Sequence, residues 1–366
     1  MKIKKILLLS DFAHPVNAGT ERLVFGIAEW FTNNYGIQTD ILCPNWKNLK
    51  EIEEINGVQI FRFSTHSIYR SNPLKRIFGF VKKSFELEKY DIYNGFYTMP
   101  PLISTVLAAK LHKSESVVTI FGREQLEKNL SNPMKKFLLL STLNKASAIT
   151  SYTWNLQKHL QQFFPEKNIF VTPGFSDHAF TPSEYDYSGE KIVLFVGRIV
   201  EEKGIFVLLD AFAKVLKKTP AKLVMIGPPY QKDLLDKKIA SLGIKNQVDV
   251  LGFVDEDELN KWYGKCSVVA VPALFQDSFG LSLMEAIACE KPVISTDSLG
   301  LPGITNELIV KKNDSDELAE MLIKLFTDSS FYFKAQENTK KMAKFFNKEK
   351  VMENYLSIYS KITESK

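Results

Sequence analysis

Ile192-Val-Leu-Phe-Val-Gly-Arg-Ile-Val-Glu-Glu-Lys-Gly-Ile-Phe-Val-Leu-Leu-Asp-Ala-Phe-Ala-Lys-Val-Leu216 reads as a strand, a tight turn and a helix in direct succession. Ile192–Val196 is apolar throughout, as a strand covered on both faces must be. Gly197 and Gly204 bracket the turn, where the missing Cβ lets another group approach the backbone. Two fixed cations, Arg198 and Lys203, lie between them. Arg offers a planar fork to phosphate oxygens and Lys a compact charge; the plainer alternative is a solvated turn with routine surface charges.

The same alternation of short apolar runs and longer amphipathic stretches extends both ways from this segment. Towards the amino end, strands are expected at Ile3–Ser10, Thr39–Cys43, Gln59–Phe63, Ile92–Tyr93, Ser116–Ile120, Ala148–Ser151 and Ile169–Thr172. Towards the carboxyl end they are expected at Lys222–Ile226, Val248–Leu251, Val268–Pro272, Pro292–Thr296 and Leu308–Val310. The pattern runs twice, and a chain of 366 residues exceeds what one core usually spans. The expected fold class is α/β, with two Rossmann-like domains facing across a cleft. Residues 1–175 form the first domain, 176–189 a linker rich in Pro, Gly and small polar residues, and 190–340 the second domain. The aromatic-rich residues 341–366 are expected to form a helix crossing back onto the first domain.

Composition narrows the function. Hydrophobic residues make up 45% and charged residues 24%, which suits a folded globular chain. Cys43, Cys266 and Cys289 are too few and too scattered for a disulfide framework or a zinc ribbon. No two of the five histidines stand four apart, so no metal site is expected. The apolar run Ile6–Leu9 is too short for a signal peptide, and no stretch approaches the roughly 18 apolar residues of a membrane span. A cytoplasmic protein is expected, at most peripheral to the membrane. The first 184 residues carry 22 Lys and Arg against 16 Asp and Glu, so an anionic partner should meet that half. The excess is too diffuse for a nucleic-acid binder.

In open α/β sheets, ligands bind beyond the carboxyl ends of the strands. After the first strand, Gly19 and Thr20 sit where a helix opens, whose first amides can face an anion; the plainer alternative is a loop in which Thr20 caps the helix. After Val268–Pro272 comes Ala-Leu-Phe-Gln-Asp277-Ser-Phe279-Gly280-Leu281-Ser-Leu-Met-Glu285, with a helix expected from about Phe279. Its first amides, at Gly280 and Leu281, can hold a phosphate. Carboxylates so close to a phosphate site suggest sugar hydroxyls as partners, since each accepts two such bonds. The plainer alternatives are that Asp277 caps the helix and Glu285 lies on its surface. Asp255-Glu-Asp-Glu258 precedes another helical pattern and reads as a cap, not as a metal-binding pair.

Gly197-Arg198…Lys203-Gly204, then Phe275-Gln-Asp-Ser-Phe-Gly-Leu-Ser-Leu-Met-Glu-Ala-Ile-Ala288 and Lys291-Pro-Val-Ile294, resembles glycosyltransferase family 4. Asn17-Ala-Gly-Thr-Glu-Arg22 looks like that family's first glycine loop and Val171-Thr-Pro-Gly-Phe175 like its interdomain strand end. Val224-Met-Ile-Gly227-Pro228 and Leu251-Gly-Phe253-Val254 look like its nucleotide-side loops. The resemblance implies the GT-B fold and metal-free, retaining transfer of a hexose-type sugar from a nucleotide diphosphate, UDP by default. The nucleotide-sugar is then a substrate, and no cofactor is implied. A glycan or lipid-linked acceptor would fit polysaccharide or lipopolysaccharide biosynthesis.

By resemblance, Arg198 and Lys203 hold the donor diphosphate, Glu285 the ribose hydroxyls, and Asp277 the donor sugar. Phe279, Gly280 and Leu281 supply amides. Gly19 approaches the phosphate from the first domain, while Gly197, Gly227 and Phe253 line the donor side. Three departures stand out. Asp277 replaces the usual Glu, the paired glycine is Ala18-Gly19, and Phe121 stands where many members carry a His. Phe121 leaves open a second reading, an inactive GT-B scaffold or glycan-binding subunit.

Pro73–Phe85 sets Leu74, Ile77, Phe78 and Val81 at helical spacing among Lys75, Arg76, Lys82 and Lys83, as does Pro133–Leu140 in shorter form. Such a helix can lie on anionic lipid, though the same pattern serves a core-packed helix with a solvated face. Gly79 is expected to weaken it.

Overall fold

The computed structural model describes residues 3–15, 19–46, 48–64, 72–176, 180–274, 280–297 and 308–364. The chain divides into two compact units, Met1–Pro173 with Val351–Lys366, and Gly174–Lys350.

The first unit runs β1 (Lys5–Leu9), α1 (Gly19–Tyr35), β2 (Gln38–Asn45), β3 (Ile52–Ile55), β4 (Val58–Ser64), α2 (Pro73–Glu86), β5 (Ile92–Phe96), α3 (Met99–His112), β6 (Glu115–Ile120), α4 (Arg123–Leu130), α5 (Pro133–Lys145), β7 (Ala148–Ser151), α6 (Trp154–Gln161) and β8 (Ile169–Val171). Its sheet has the order β3-β4-β2-β1-β5-β6-β7-β8. All neighbours are parallel except β3, which pairs antiparallel with β4. That edge hairpin was not expected, because Ile52-Glu-Glu-Ile55 is half charged and lacks the apolar run of a buried strand.

The second unit runs β9 (Ile192–Val196), α7 (Ile205–Val215), β10 (Lys222–Ile226), α8 (Lys232–Leu242), β11 (Val248–Gly252), α9 (Glu256–Lys265), β12 (Val268–Val271), α10 (Leu281–Ala288), β13 (Val293–Thr296), β14 (Ile309–Val310), α11 (Ser315–Thr327), α12 (Ser329–Ala343) and the start of α13 (Lys348–Glu364). The strand order β11-β10-β9-β12-β13-β14 is parallel throughout. Tyr185 and Tyr187 hold residues 180–189 to this unit through Ser267, the Leu325 carbonyl and the Tyr332 ring.

Each core is the one its strands dictate. Val193, Phe195, Leu223, Met225, Val268 and Ile294 meet Leu208, Leu209 and Phe212 of α7 in the second unit. Leu7, Leu9, Leu42 and Tyr93 meet Phe80 of α2 in the first. A Cβ on Gly79 would lie 2.3 Å from the Phe63 ring. That glycine therefore lets α2 settle against β4, where Phe63 and Phe80 meet at 4.8 Å, instead of merely weakening the helix. From Val351 onward, α13 belongs to the first unit. There Tyr359 receives a 2.7 Å hydrogen bond from the Asn94 amide, and the Asn354 amide donates to the Val171 carbonyl, also at 2.7 Å. No described helix is long and apolar enough to cross a membrane.

Candidate functional site

A doubly wound sheet binds ligands where its strand order reverses, beyond the carboxyl ends of the two strands whose crossovers leave in opposite directions. In the second unit these strands are β9 and β12. The segments leaving them are the turn carrying Arg198 and Lys203 and the loop leading to α10.

Three turns interlock at this edge. Gly197 (φ +146°) donates to the Ile226 carbonyl at 2.9 Å, and Ile199 to the Pro228 carbonyl at 3.0 Å. Gly227 (φ +135°) passes so close that a Cβ on it would lie 2.0 Å from the Gly197 carbonyl oxygen. Gly204 (φ +74°) follows a short 3₁₀ turn, Glu201–Lys203, and a Cβ there would lie 1.8 Å from the Pro272 carbonyl oxygen. The Leu274 amide closes the set, donating to the Glu202 carbonyl at 3.1 Å. Only glycine tolerates both the positive φ and the backbone contact at Gly204 and Gly227. Arg198 is exposed on this platform and Lys203 half-buried beside it.

α10 starts at Leu281, two residues later than expected. Gly280 is its N-cap and supplies no side-chain capping bond. Asp277 and Phe279 lie outside the described residues. Glu285 is not a surface residue: it is 4% exposed, and its Oε2 accepts a 2.8 Å hydrogen bond from the Tyr263 hydroxyl of α9. Burial, then the Glu285 charge, pushes that phenol well above its ordinary range, so it stays a donor. Tyr263 thus positions the carboxylate, a role missed in the sequence because the partners are 22 residues apart on different helices. Phe253, just past β11, is 88% exposed and presents a bare ring at the same sheet edge.

The corresponding edge of the first unit lies between β1 and β5. Asp11, just beyond β1, accepts from Arg76 of α2 at 2.9 Å and from the Thr98 hydroxyl just beyond β5. Burial raises the Asp11 pKa, with the Arg76 charge opposing that shift. Glu21 in the first turn of α1 is also buried. Its Oε2 has no hydrogen-bond partner, and burial first, then the Asp11 charge, raises its pKa. Gly19 is the first residue of α1, half-exposed; residues 16–18 lie outside the described residues. Sequence reasoning missed this acidic cluster, since Asp11 lies 65 residues from Arg76 and 87 from Thr98. Phe121, beyond β6, is buried between Phe96 (5.8 Å, stacked) and Tyr152 (5.0 Å, edge-on). An aromatic cluster therefore fills the place where the resemblance expects a histidine.

Among the described residues, no group of three His, Cys, Asp or Glu side chains could hold a metal ion. Asp255 caps α9, its Oδ1 accepting from the Glu258 amide at 2.8 Å.

Residues 5–153 match the family model of the glycosyl transferase 4-like proteins, and residues 177–343 that of the glycosyl transferases group 1. An uncharacterized glycosyltransferase from Methanocaldococcus jannaschii is 27% identical over 351 residues, covering 86% of this chain and 87% of its own. The structure of sucrose-phosphate synthase from Thermosynechococcus elongatus superposes with a TM-score of 0.81 at 18% identity, over 99% of this chain and 100% of that one. That of Anabaena HepE, in complex with UDP and glucose, gives 0.74 at 18% identity, over 98% and 100%.

Proposed function

The chain belongs to glycosyltransferase family 4, with the GT-B fold, and from that premise we propose that it moves a hexose-type sugar from UDP to a hydroxyl of a glycan or lipid-linked acceptor, with retention at the anomeric carbon. The observation that carries this reading is the interlocked glycine platform at the β9/β12 reversal. It holds an arginine and a lysine beside the loop that leads to an uncapped helix start. A diphosphate has the charge such a platform would bind. Phe253 is suited to stack on the base, and Glu285, set by Tyr263, to accept from ribose hydroxyls. Uridine follows the nucleotide in the HepE complex.

In the step we infer, the bond from the anomeric carbon to the diphosphate oxygen breaks. Arg198, Lys203 and the amides near Gly280 offset the charge that develops on the leaving oxygen. The acceptor oxygen bonds to the anomeric carbon on the same face, and its proton passes to the leaving phosphate. No side-chain nucleophile is needed. With UDP-sugar and a competent acceptor, Arg198→Ala and Lys203→Ala should each lower turnover by about 10²–10³-fold. Near-full turnover in both would remove this assignment, and an inverted product, read by NMR of the new linkage, would remove retention.

Phe121 supports one other reading, a subunit that binds nucleotide-sugar or glycan without turning it over. Incubation with UDP-sugar separates the two: such a subunit binds the donor and releases no UDP, with or without acceptor.

A further inference from the structure

Three neighbouring helices of the first unit share an outward surface that is apolar and cationic at once. α2 packs on α3, and α3 on α5. α2 turns Phe80 and Ser84 inward. Leu74, Phe78 and Phe85, spaced four and seven residues apart, form a stripe on its outer side, and Phe78 is 69% exposed. α5 turns Leu139, Thr142 and Leu143 inward and leaves Met134, Phe137 and Leu138 outside, with Phe137 72% exposed. Between them, α3 exposes Leu107 and Leu111. The stripe on α2 is thus not its core face, and most of each side chain stays in contact with solvent, although the Phe85 ring also meets His112 of α3 at 5.5 Å.

The charge on these helices is predominantly positive. α2, α3 and α5 contain eight Lys and Arg and a single acid, Glu86, so any partner of this face should be anionic. Lys75, Lys82, Lys135 and Lys136 are exposed beside the apolar side chains. Glu86 pairs with Lys82 and Lys83, which leaves Lys75, Lys135 and Lys136 as the exposed charge of this rim. A hydrophobic surface edged by such lysines suits a bilayer interface, where rings enter the acyl boundary and ammonium groups meet lipid phosphates. We propose that the outward face of α2, α3 and α5 seats the protein on an anionic lipid bilayer. The first turn of α2 is tied by Arg76 to Asp11 at the ligand-side edge of the first sheet. On the transferase reading, lipid docking would therefore bring that edge to a lipid-linked acceptor.

The test is sedimentation of the full-length protein with vesicles of phosphatidylcholine alone or with phosphatidylglycerol added. It needs no donor and no turnover, so its outcome is independent of the transferase reading. The expected result is pelleting with the anionic vesicles at low salt, at least about ten-fold above the neutral ones and lost at high salt. Phe78→Ser with Phe137→Ser, and separately Lys135→Glu with Lys136→Glu, should each lower the bound fraction about ten-fold at unchanged melting temperature. Equal partition onto both vesicle types would overturn the proposal, as would no loss in either double variant. So would a dimer in analytical ultracentrifugation that Phe78→Ser with Phe137→Ser dissolves, since a second copy would then cover the face.

Discussion

Gly204 and Gly227 show how far a single side chain is constrained at the candidate donor site. Each combines a positive φ with a backbone oxygen within 2.0 Å of where a Cβ would stand. Gly204→Ala should cost about 1–3 kcal/mol of stability from the backbone conformation alone, and the displaced Pro272 carbonyl should weaken UDP binding in the same protein. A melting curve and a UDP titration of that variant check both; wild-type values in each would mean the turn is not held as described. Glu21 tests electrostatics. Its folded-state pKa is raised, so the protonated form is favoured by folding, and stability falls as pH rises from the unfolded pKa through the folded one. Glu21→Gln removes that loss. Its melting temperature should exceed the wild type's at pH 7.5, with the gain shrinking towards pH 4.5. A gain that is constant with pH, or absent, would contradict a buried carboxylate whose Oε2 has no partner. At this scale legibility followed distance along the chain. Gly197, Arg198, Lys203 and Gly204 fall within eight residues and could be read together. Asp11 with Arg76 and Thr98, or Tyr263 with Glu285, become partners only once sheets and helices are assembled.

Among the elements, the apolar runs of the parallel strands in both sheets gave strands within a few residues of those expected, because a strand buried on both faces needs an uninterrupted apolar sequence. β3 escaped because an edge strand pairs on one side only and tolerates Glu53 and Glu54. α2 was readable as amphipathic but not in its facing: the sequence cannot say which stripe meets the sheet, and the contact of Phe63 with Phe80 decides it. α9 was read correctly from its acidic start. Asp255→Ala should cost about 0.5–2 kcal/mol, read in denaturant unfolding as a lower midpoint at unchanged slope. No change would mean the 2.8 Å cap bond to Glu258 contributes nothing.

For the whole molecule, the two sheets share one logic: each reverses its strand order beside a loop that carries charge. The second unit offers cations and an uncapped helix start. The first offers a buried acidic cluster and, on its outer helices, a cationic apolar face. On the proposed reading, a donor diphosphate would meet the former and an acceptor at or near lipid the latter. The claim on which the rest stands is that UDP binds at the β9/β12 reversal through Arg198 and Lys203. Calorimetric titration of UDP into the wild type and into Arg198→Ala with Lys203→Ala tests it directly. The account predicts saturable binding by the wild type and a loss of affinity of about 100-fold or more in the double variant, each charge-assisted contact contributing about 1.5–3 kcal/mol. Equal affinity in the two proteins would contradict it.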